Sequence, residues 1–287
     1  YLNTEGRFML KIGSYNDLVV QRAVEFGLYL NPKPDEVLLP LKYVPPNTMP
    51  GDTIRVFVYT DSEDRPVATT RAPKAVVGDF ACLTVKDIAP FGAFMDWGLE
   101  KDLLVPAGEQ SVRMKTGNKY VVKVCLDETT NRVYGTNRIT RECDKIPVNL
   151  SEGEKVDLLI YGITKIGIMA VVNNRYCGML YKSQNHTSLS VGDKTTGYIG
   201  RIRDDGKIDL TLKTPGYLSV SDSGVRILEI LKRNGGFMAC HDKSHPDEIS
   251  RIFAMSKKEF KRAIGTLYKA GSILITEKGI GLKKHPA

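Results

Sequence analysis

Phe91 and Phe94, three residues apart around Gly92, are the side chains of this chain best suited to chemistry, and that chemistry is stacking. A ring turned outward from a strand stacks on any flat π-system, and a nucleic-acid base on such a platform gains roughly 1–3 kcal/mol. On a regular strand two residues three apart point to opposite sides, so a shared platform requires a turn or bulge at Gly92. A phenylalanine on a half-buried strand is by default a core residue, and Trp97, the single tryptophan, fits either core or surface, with core favoured. Groups for bond-making chemistry are scarce. The chain has no Gly-rich phosphate loop, no His-Glu-x-x-His, no nucleophile with a base, and only 4 histidines. Asp96 and Asp102 lack a partner for acid–base work, and Cys240-His241 with His245 reads as a capping loop rather than a metal site. No catalytic activity, cofactor or metal is expected.

The elements that must position the rings repeat. Gly13, Phe26-Gly27 and Gly51-Asp52 recur as Gly78, Phe91-Gly92 and Gly117-Asn118, then as Gly153, Ile166-Gly167 and Gly192-Asp193. A period of roughly 65–75 residues is too long for a solenoid and matches the smallest independent domains, so like modules follow one another. In the second copy, alternating or short apolar runs predict strands over 80–88, 93–97, 103–106, 120–126 and 132–136. The first copy gives 16–23, 28–31, 37–40, 53–59 and 66–70, and the third 156–163, 168–173, 177–181, 194–201 and 207–213. Five short strands bury an apolar face most economically by closing into a small barrel, as in an OB-fold. Gly27, Gly92 and Gly167 are expected to supply a bend or a positive φ at the strand-one to strand-two corner.

The string from Pro90 to Gly98, then Lys101-Asp102-Leu103-Leu104-Val105-Pro106 and Gly117, resembles the RNA-binding OB module of ribosomal protein S1. The order of repeats, with Asp61-Ser62-Glu63-Asp64-Arg65 closing the first, resembles the bacterial CvfB (conserved virulence factor B, YitL-like) family. The resemblance implies three tandem S1-like barrels and a C-terminal winged helix, RNA binding, and no catalytic activity. It assigns contacts to Phe91, Phe94, Asp127 and Arg132 in the second barrel and to Phe26, Tyr29, Asp61 and Arg65 in the first. Pro106 and Pro40 stand where the family has a histidine. The third barrel departs most, with Ile166 and Met169 in place of rings, Tyr181 at the histidine position and Lys207 near the basic one.

After Pro215-Gly216 the period-two pattern ends. Val225, Leu228 and Ile230-Leu231 predict a short amphipathic helix stopped at Asn234-Gly235-Gly236. Ser244-x-x-Asp247 and Ser256-x-x-Glu259 read as capping boxes opening two more helices. In the last helix Phe260, Ala263, Ile264, Leu267 and Tyr268 form one apolar stripe. A hairpin over 273–276 and 280–282, turned at Lys278-Gly279, completes a winged helix-turn-helix. The fold class is therefore mostly β with a C-terminal α/β unit, in domains 1–70, 71–145, 146–216 and 217–287. Expected linkers lie near Ala72-Pro73, residues 145–147 and Thr214-Pro215.

The 287 residues carry a net charge of +8 at pH 7 and are 42% hydrophobic, values of a soluble globular chain. By domain the basic and acidic side chains number 7 and 9, 12 and 10, 9 and 7, and 13 and 7, so the excess sits in the winged helix. There Lys257, Lys258, Lys261, Arg262 and Lys269 lie off the apolar stripe, as a phosphate-contacting face or simply a solvated one would. No apolar run reaches the roughly 20 residues a spanning helix needs, so no membrane is expected. The start at Tyr1, without a basic n-region or initiator Met, is expected to be a trimmed or partly ordered terminus with no signal peptide. The 5 cysteines are scattered and odd in number, so no disulfide framework is expected and a cytoplasmic setting is. The reading is a non-catalytic regulator binding single-stranded RNA, with duplex contact through the winged helix and the ribosome or RNA-processing machinery as further partners. The alternatives are a DNA-binding regulator whose barrels mediate protein contacts, and an adaptor whose barrels bind protein.

Overall fold

The computed structural model describes residues 10–146, 149–181, 188–212 and 222–283, and the chain divides into two units, Tyr1–Leu210 and Thr211–Ala287. Pro147, Thr214-Pro215, the end of the 207–213 strand and the amino-terminal segment lie outside the described residues.

Among the described residues, fifteen strands up to Thr211 form three five-stranded sheets. The first comprises β1 (Ser14–Val24), β2 (Gly27–Leu30), β3 (Val37–Pro40), β4 (Thr53–Thr60) and β5 (Pro66–Thr69). It closes in the order β1-β2-β3-β5-β4, with β3 and β5 parallel. The third, β11 (Lys155–Ile163), β12 (Gly167–Val172), β13 (Tyr176–Tyr181), β14 (Lys194–Ile202) and β15 (Ile208–Thr211), closes identically. The second, β6 (Phe80–Ala89), β7 (Gly92–Met95), β8 (Leu103–Pro106), β9 (Lys119–Asp127) and β10 (Arg132–Thr136), runs β10-β9-β6-β7-β8. Its end strands meet by packing: a Cβ on Gly135 would stand 2.9 Å from Val105 Cγ2 and 3.1 Å from Leu103 Cδ2.

The repeated glycine frame has two separate causes. The last glycine of each copy adopts φ of 96°, 80° and 96° at Gly51, Gly117 and Gly192, a left-handed turn that side chains resist. Their N–H groups donate to the carbonyls of Val20, Val85 and Ile160 at 2.8, 2.9 and 2.8 Å. The N–H groups of those three residues donate back to Asp52, Asn118 and Asp193. Each lock sits where the first strand's register slips, between Val20 and Arg22, Val85 and Asp87, and Ile160 and Gly162. That slip is the bulge that lets a barrel strand turn. The corner glycines differ from expectation, because Gly92 and Gly167 have no positive φ. A Cβ there would lie 2.5 Å from the carbonyl oxygens of Val105 and Leu180, and Gly27 faces Leu39 in the same way. Close strand approach, rather than backbone freedom, requires glycine at this corner.

The barrels of the first unit are packed on one another. β4 is buried on both faces: Val56 and Val58 enter the first barrel's core, while Phe57 and Tyr59 join the second barrel's. Trp97 is buried there, 5.5 Å edge-to-face from Phe57, with Nε1 donating to the Ala75 carbonyl at 2.7 Å. Phe80, Val121 and Ile139 similarly pack against Leu159 and Val171 of the third barrel. After helix α1 (Ile139–Glu142), Asp144 bridges in parallel to Tyr176, and Cys143 forms a disulfide with Cys177. This pairing corrects the expectation of no disulfide. The two cysteines are 34 residues apart, and the Asp144–Tyr176 bridge brings them together.

The second unit contains α2 (Asp222–Arg233), β16 (Phe237–Met238), α3 (Pro246–Phe253), α4 (Lys257–Lys269), β17 (Ile273–Thr276) and β18 (Gly279–Leu282). Its sheet runs β16-β18-β17, so the hairpin gains a third strand that sequence periodicity did not reveal. Ile227, Leu231, Ile249, Phe253, Phe260, Ile264 and Leu267 form its core. Ser256 caps α4 as expected, accepting from Glu259 N at 3.2 Å. The cap of α3 is His245 rather than Ser244: Pro246 takes the first helical position, and Ser244 Oγ accepts from His241 N instead. Tyr268 departs from the stripe and is 55% exposed, because Leu267 already fills the core position of that turn.

Two measurements test this packing. Gly92→Ala is expected to cost about 1–3 kcal/mol through overpacking, whereas Gly108→Ala, with nothing within 4 Å of its Cβ, leaves the thermal midpoint unchanged. Burial pushes the Tyr59 hydroxyl from its usual 10.0 up to about 12. Its neutral form is favoured by folding, so that stabilisation is complete below pH 10 and is lost as pH rises from about 10 to 12. Trp97 fluorescence should report alkaline unfolding in that window, and Tyr59→Phe should blunt it.

Candidate nucleic-acid interface

Phe91 lies in the turn before β7 rather than on the strand, so the spacing of three does not set the two rings on opposite faces. Phe91 is 60% exposed, Phe94 is half-buried, and the rings meet edge-to-face at 5.8 Å. In the first barrel Phe26 is 58% exposed and lies 6.4 Å from Tyr29. In the third, Ile166 is 66% exposed and Met169 half-buried. The residue facing the second member of each pair differs. Arg22 pairs with Tyr29, Asp87 with Phe94 and Gly162 with Met169. The Arg22 guanidinium covers Tyr29 at 3.9 Å and is held by Glu36 through two bonds of 3.1 and 3.0 Å. Met169 folds over Gly162, where a Cβ would meet its methyl at 2.5 Å. The Asp87 carboxylate accepts from the Ile88 amide at 2.8 Å.

Beside Phe94 runs an open cleft of about 1130 Å³, floored by Leu104, Pro106 and Tyr134 and flanked by Lys101, Asp127 and Arg132. Ser62 and Asp64 of the first barrel complete its wall. Asp127 accepts from Thr129 N at 2.9 Å and Thr130 Oγ1 at 2.7 Å; the Thr130 hydroxyl and these turn contacts hold its carboxyl below the usual range. Arg132 is held by both carboxylate oxygens of Asp64, with Nε at 2.9 Å. Burial pushes the Asp61 carboxyl up, but bonds from Arg65 and from the Glu63 and Arg65 amides outweigh it and leave the carboxyl lowered. Lys207 bonds its neighbour Asp205 at 2.6 Å.

Of the predicted residues, the structure gathers Phe94, Asp127 and Arg132 in one cleft, with Phe91 against Phe94. Asp61 and Arg65 hold their own turn. Three neighbours of the predicted set were missed. Tyr134 follows Arg132 by two on β10, a spacing that signals a shared face. Arg22 sits at a bulge, where period-two reasoning fails. Arg203 bonds Tyr181 Oη at 2.7 Å and Asp209 at 3.1 Å, so it is the cation beside Tyr181, whereas Lys207 is held by Asp205.

On α4, Lys258, Lys261, Arg262 and Lys269 are exposed opposite the buried Phe260, Ala263, Ile264 and Leu267, with Tyr268 on the same side as Lys261. Lys257 is partly covered, its Nζ 3.4 Å from the Lys243 carbonyl. His241 and His245 each use Nδ1 to accept a backbone N–H, from Lys243 and Asp247. Among the described residues no helix is long and apolar enough to cross a membrane.

Residues 12–71 match the S1 domain and residues 225–282 the CvfB-like winged helix domain. The Bacillus subtilis "Uncharacterized protein YitL" is 26% identical over 276 residues, spanning 92% of this chain and 91% of its own. Conserved virulence factor B of Staphylococcus epidermidis is 27% identical over 244 residues, 80% of this chain and 82% of that protein. The crystal structure of a multidomain protein with nucleic acid binding domains from Streptococcus pneumoniae aligns at 23% identity over 95% of this chain and 98% of its own, with a TM-score of 0.44. Five-stranded S1-type barrels in tandem, followed by a winged helix, define the class. Over most of its length the chain is similar to YitL and to conserved virulence factor B, and its C-terminal residues match the CvfB-like winged helix domain.

The Ser256 cap holds the start of the basic helix. Ser256→Ala is expected to lower the stability of the winged-helix unit by about 1 kcal/mol in a thermal melt, while Ser244→Ala, which caps no helix, costs less.

Proposed function

We propose that the protein is a non-catalytic, cytoplasmic binder of single-stranded RNA that acts in post-transcriptional or translation-linked regulation. In this reading residues 1–70, 71–145 and 146–216 are three barrel domains and 217–287 the winged helix. The observation that carries it is the pair Phe91 and Phe94, two rings turned to one face at 5.8 Å beside an open cleft. Phe91 meets Phe94 along one edge and leaves most of its ring in solvent, where a base stacks on it at little cost. S1-domain similarity over residues 12–71 supports the same class of ligand.

The second barrel offers the open platform, and the first offers Phe26 with a Tyr29 already covered by Arg22. The third, with Ile166 and Met169, has no π-face to give. With nearly balanced charge on the barrels, stacking supplies most of the affinity there and the salt slope is shallow. The exposed cations Lys258, Lys261, Arg262 and Lys269 add a contact to phosphate. That basic face also favours a second reading, a duplex-DNA regulator acting through α4.

Fluorescence anisotropy with short RNA and DNA oligomers separates them. Phe91→Ala with Phe94→Ala is expected to weaken single-stranded RNA binding by about 5- to 150-fold, the value of one stacked base. Lys261→Ala with Arg262→Ala should mainly flatten the salt dependence. Undiminished RNA affinity in the aromatic double variant, or tighter binding to duplex DNA at matched salt, defeats the RNA reading.

A further inference from the structure

The first barrel intrudes on the second barrel's cleft at one charged point. Asp64, at the tip of the turn between β4 and β5, grips the Arg132 guanidinium with both carboxylate oxygens. Next to it Lys101 donates its Nζ to the Asp61 carbonyl at 2.7 Å. These are the two cations lining the cleft, and both are engaged by the first barrel. Of the other four carboxylates there, Glu128 is exposed to solvent and three have their own partners. Asp102 is held by Lys86 at 2.9 Å, Glu109 by Arg141, and Asp127 by the Thr129 amide and the Thr130 hydroxyl.

A guanidinium binds a carboxylate and a phosphate by the same two-pronged geometry, so the two anions are competitors for it. The Arg132–Asp64 pair is open to solvent, with side-chain exposures of 60% and 36%, and an ion pair in that setting is weak enough to be displaced. We propose that Asp64 is a built-in competitor of nucleic-acid phosphate for Arg132, so that the first barrel sets the affinity and salt response of the second barrel's cleft. This rests on the reading of that cleft as a single-stranded nucleic-acid site. A strand that stacks on Phe94 reaches Arg132 only by displacing Asp64. The wild-type cleft therefore selects for ligands whose stacking is already strong, and discriminates against weakly stacking polyanions.

Asp64→Asn tests this with little disturbance, because φ at residue 64 is 63° and asparagine tolerates the left-handed region well. The probe is a fluorescein-labelled oligouridylate of about ten nucleotides, within the span an OB-fold covers, titrated with the full chain across a range of salt. One freed phosphate contact steepens the log–log salt slope by about 0.7, which is about fivefold tighter binding at ~0.1 M salt. Arg132→Ala in the Asp64→Asn background should abolish the gain. Unchanged or weaker binding by Asp64→Asn, while Phe91→Ala with Phe94→Ala still costs affinity, overturns the competition and leaves the cleft's function standing. Binding that ignores the aromatic pair in both backgrounds overturns the competition together with the site it rests on.

Discussion

The reciprocal hydrogen bonds that tie each glycine turn to the bulge of the first strand are the constraint on which the first unit depends. Gly51, Gly117 and Gly192 take a backbone conformation that side chains resist, and in it each reaches the carbonyl of the residue where the strand slips register. A slip of one residue changes which side chains face outward beyond it. It sets Arg22, Asp87 and Gly162 opposite Tyr29, Phe94 and Met169. The corner that follows is tight enough to need glycine on steric grounds, and it leaves the preceding residue standing in solvent. The same backbone device therefore produces an exposed residue and a half-buried partner in all three barrels, whatever side chains occupy them.

Packing of the barrels follows from a strand with two apolar faces. In β4 the odd and even residues serve different cores, which makes the first barrel's wall part of the second barrel's interior. An interface built this way is as dry and close-packed as a domain core, so it fixes the turn after β4 relative to the second barrel. That fixation lets Asp64 meet Arg132 across 68 residues of sequence. The polar contact at the cleft depends on the apolar one beneath it.

The strands were legible because alternation survives wherever one face is buried, and β3, β8 and β10 fall at the residues expected. The glycine frame was equally legible as a pattern, but its causes were not, since a steric requirement and a dihedral one leave the same letter. Trp97, whose sequence context fits core or surface, is buried. What escaped was what long-range packing decides: the Cys143–Cys177 disulfide, the two-residue β16, the exposure of Tyr268, and Arg132's partner in another barrel. The α3 cap escaped for a local reason, because Pro246 fits the first helical position and moved the start of the helix one residue past the serine.

The three corners separate what the backbone conserves from what the side chains decide. The second barrel carries two rings at this corner, one exposed and one half-buried, with Asp87 opposite Phe94. With Arg22 over Tyr29, the first gives one ring a cation as its permanent neighbour, so a base arriving there must replace a contact already made. With Met169 lying over Gly162, the third has closed the same position with aliphatic atoms. The second barrel's state differs from the first's at the two facing positions and from the third's at the exposed corner residue as well, and none of these belongs to the glycine lock. A repeat of this kind can lose or regain a stacking platform without any cost to its fold, so likeness of fold among the barrels is a poor guide to which of them binds.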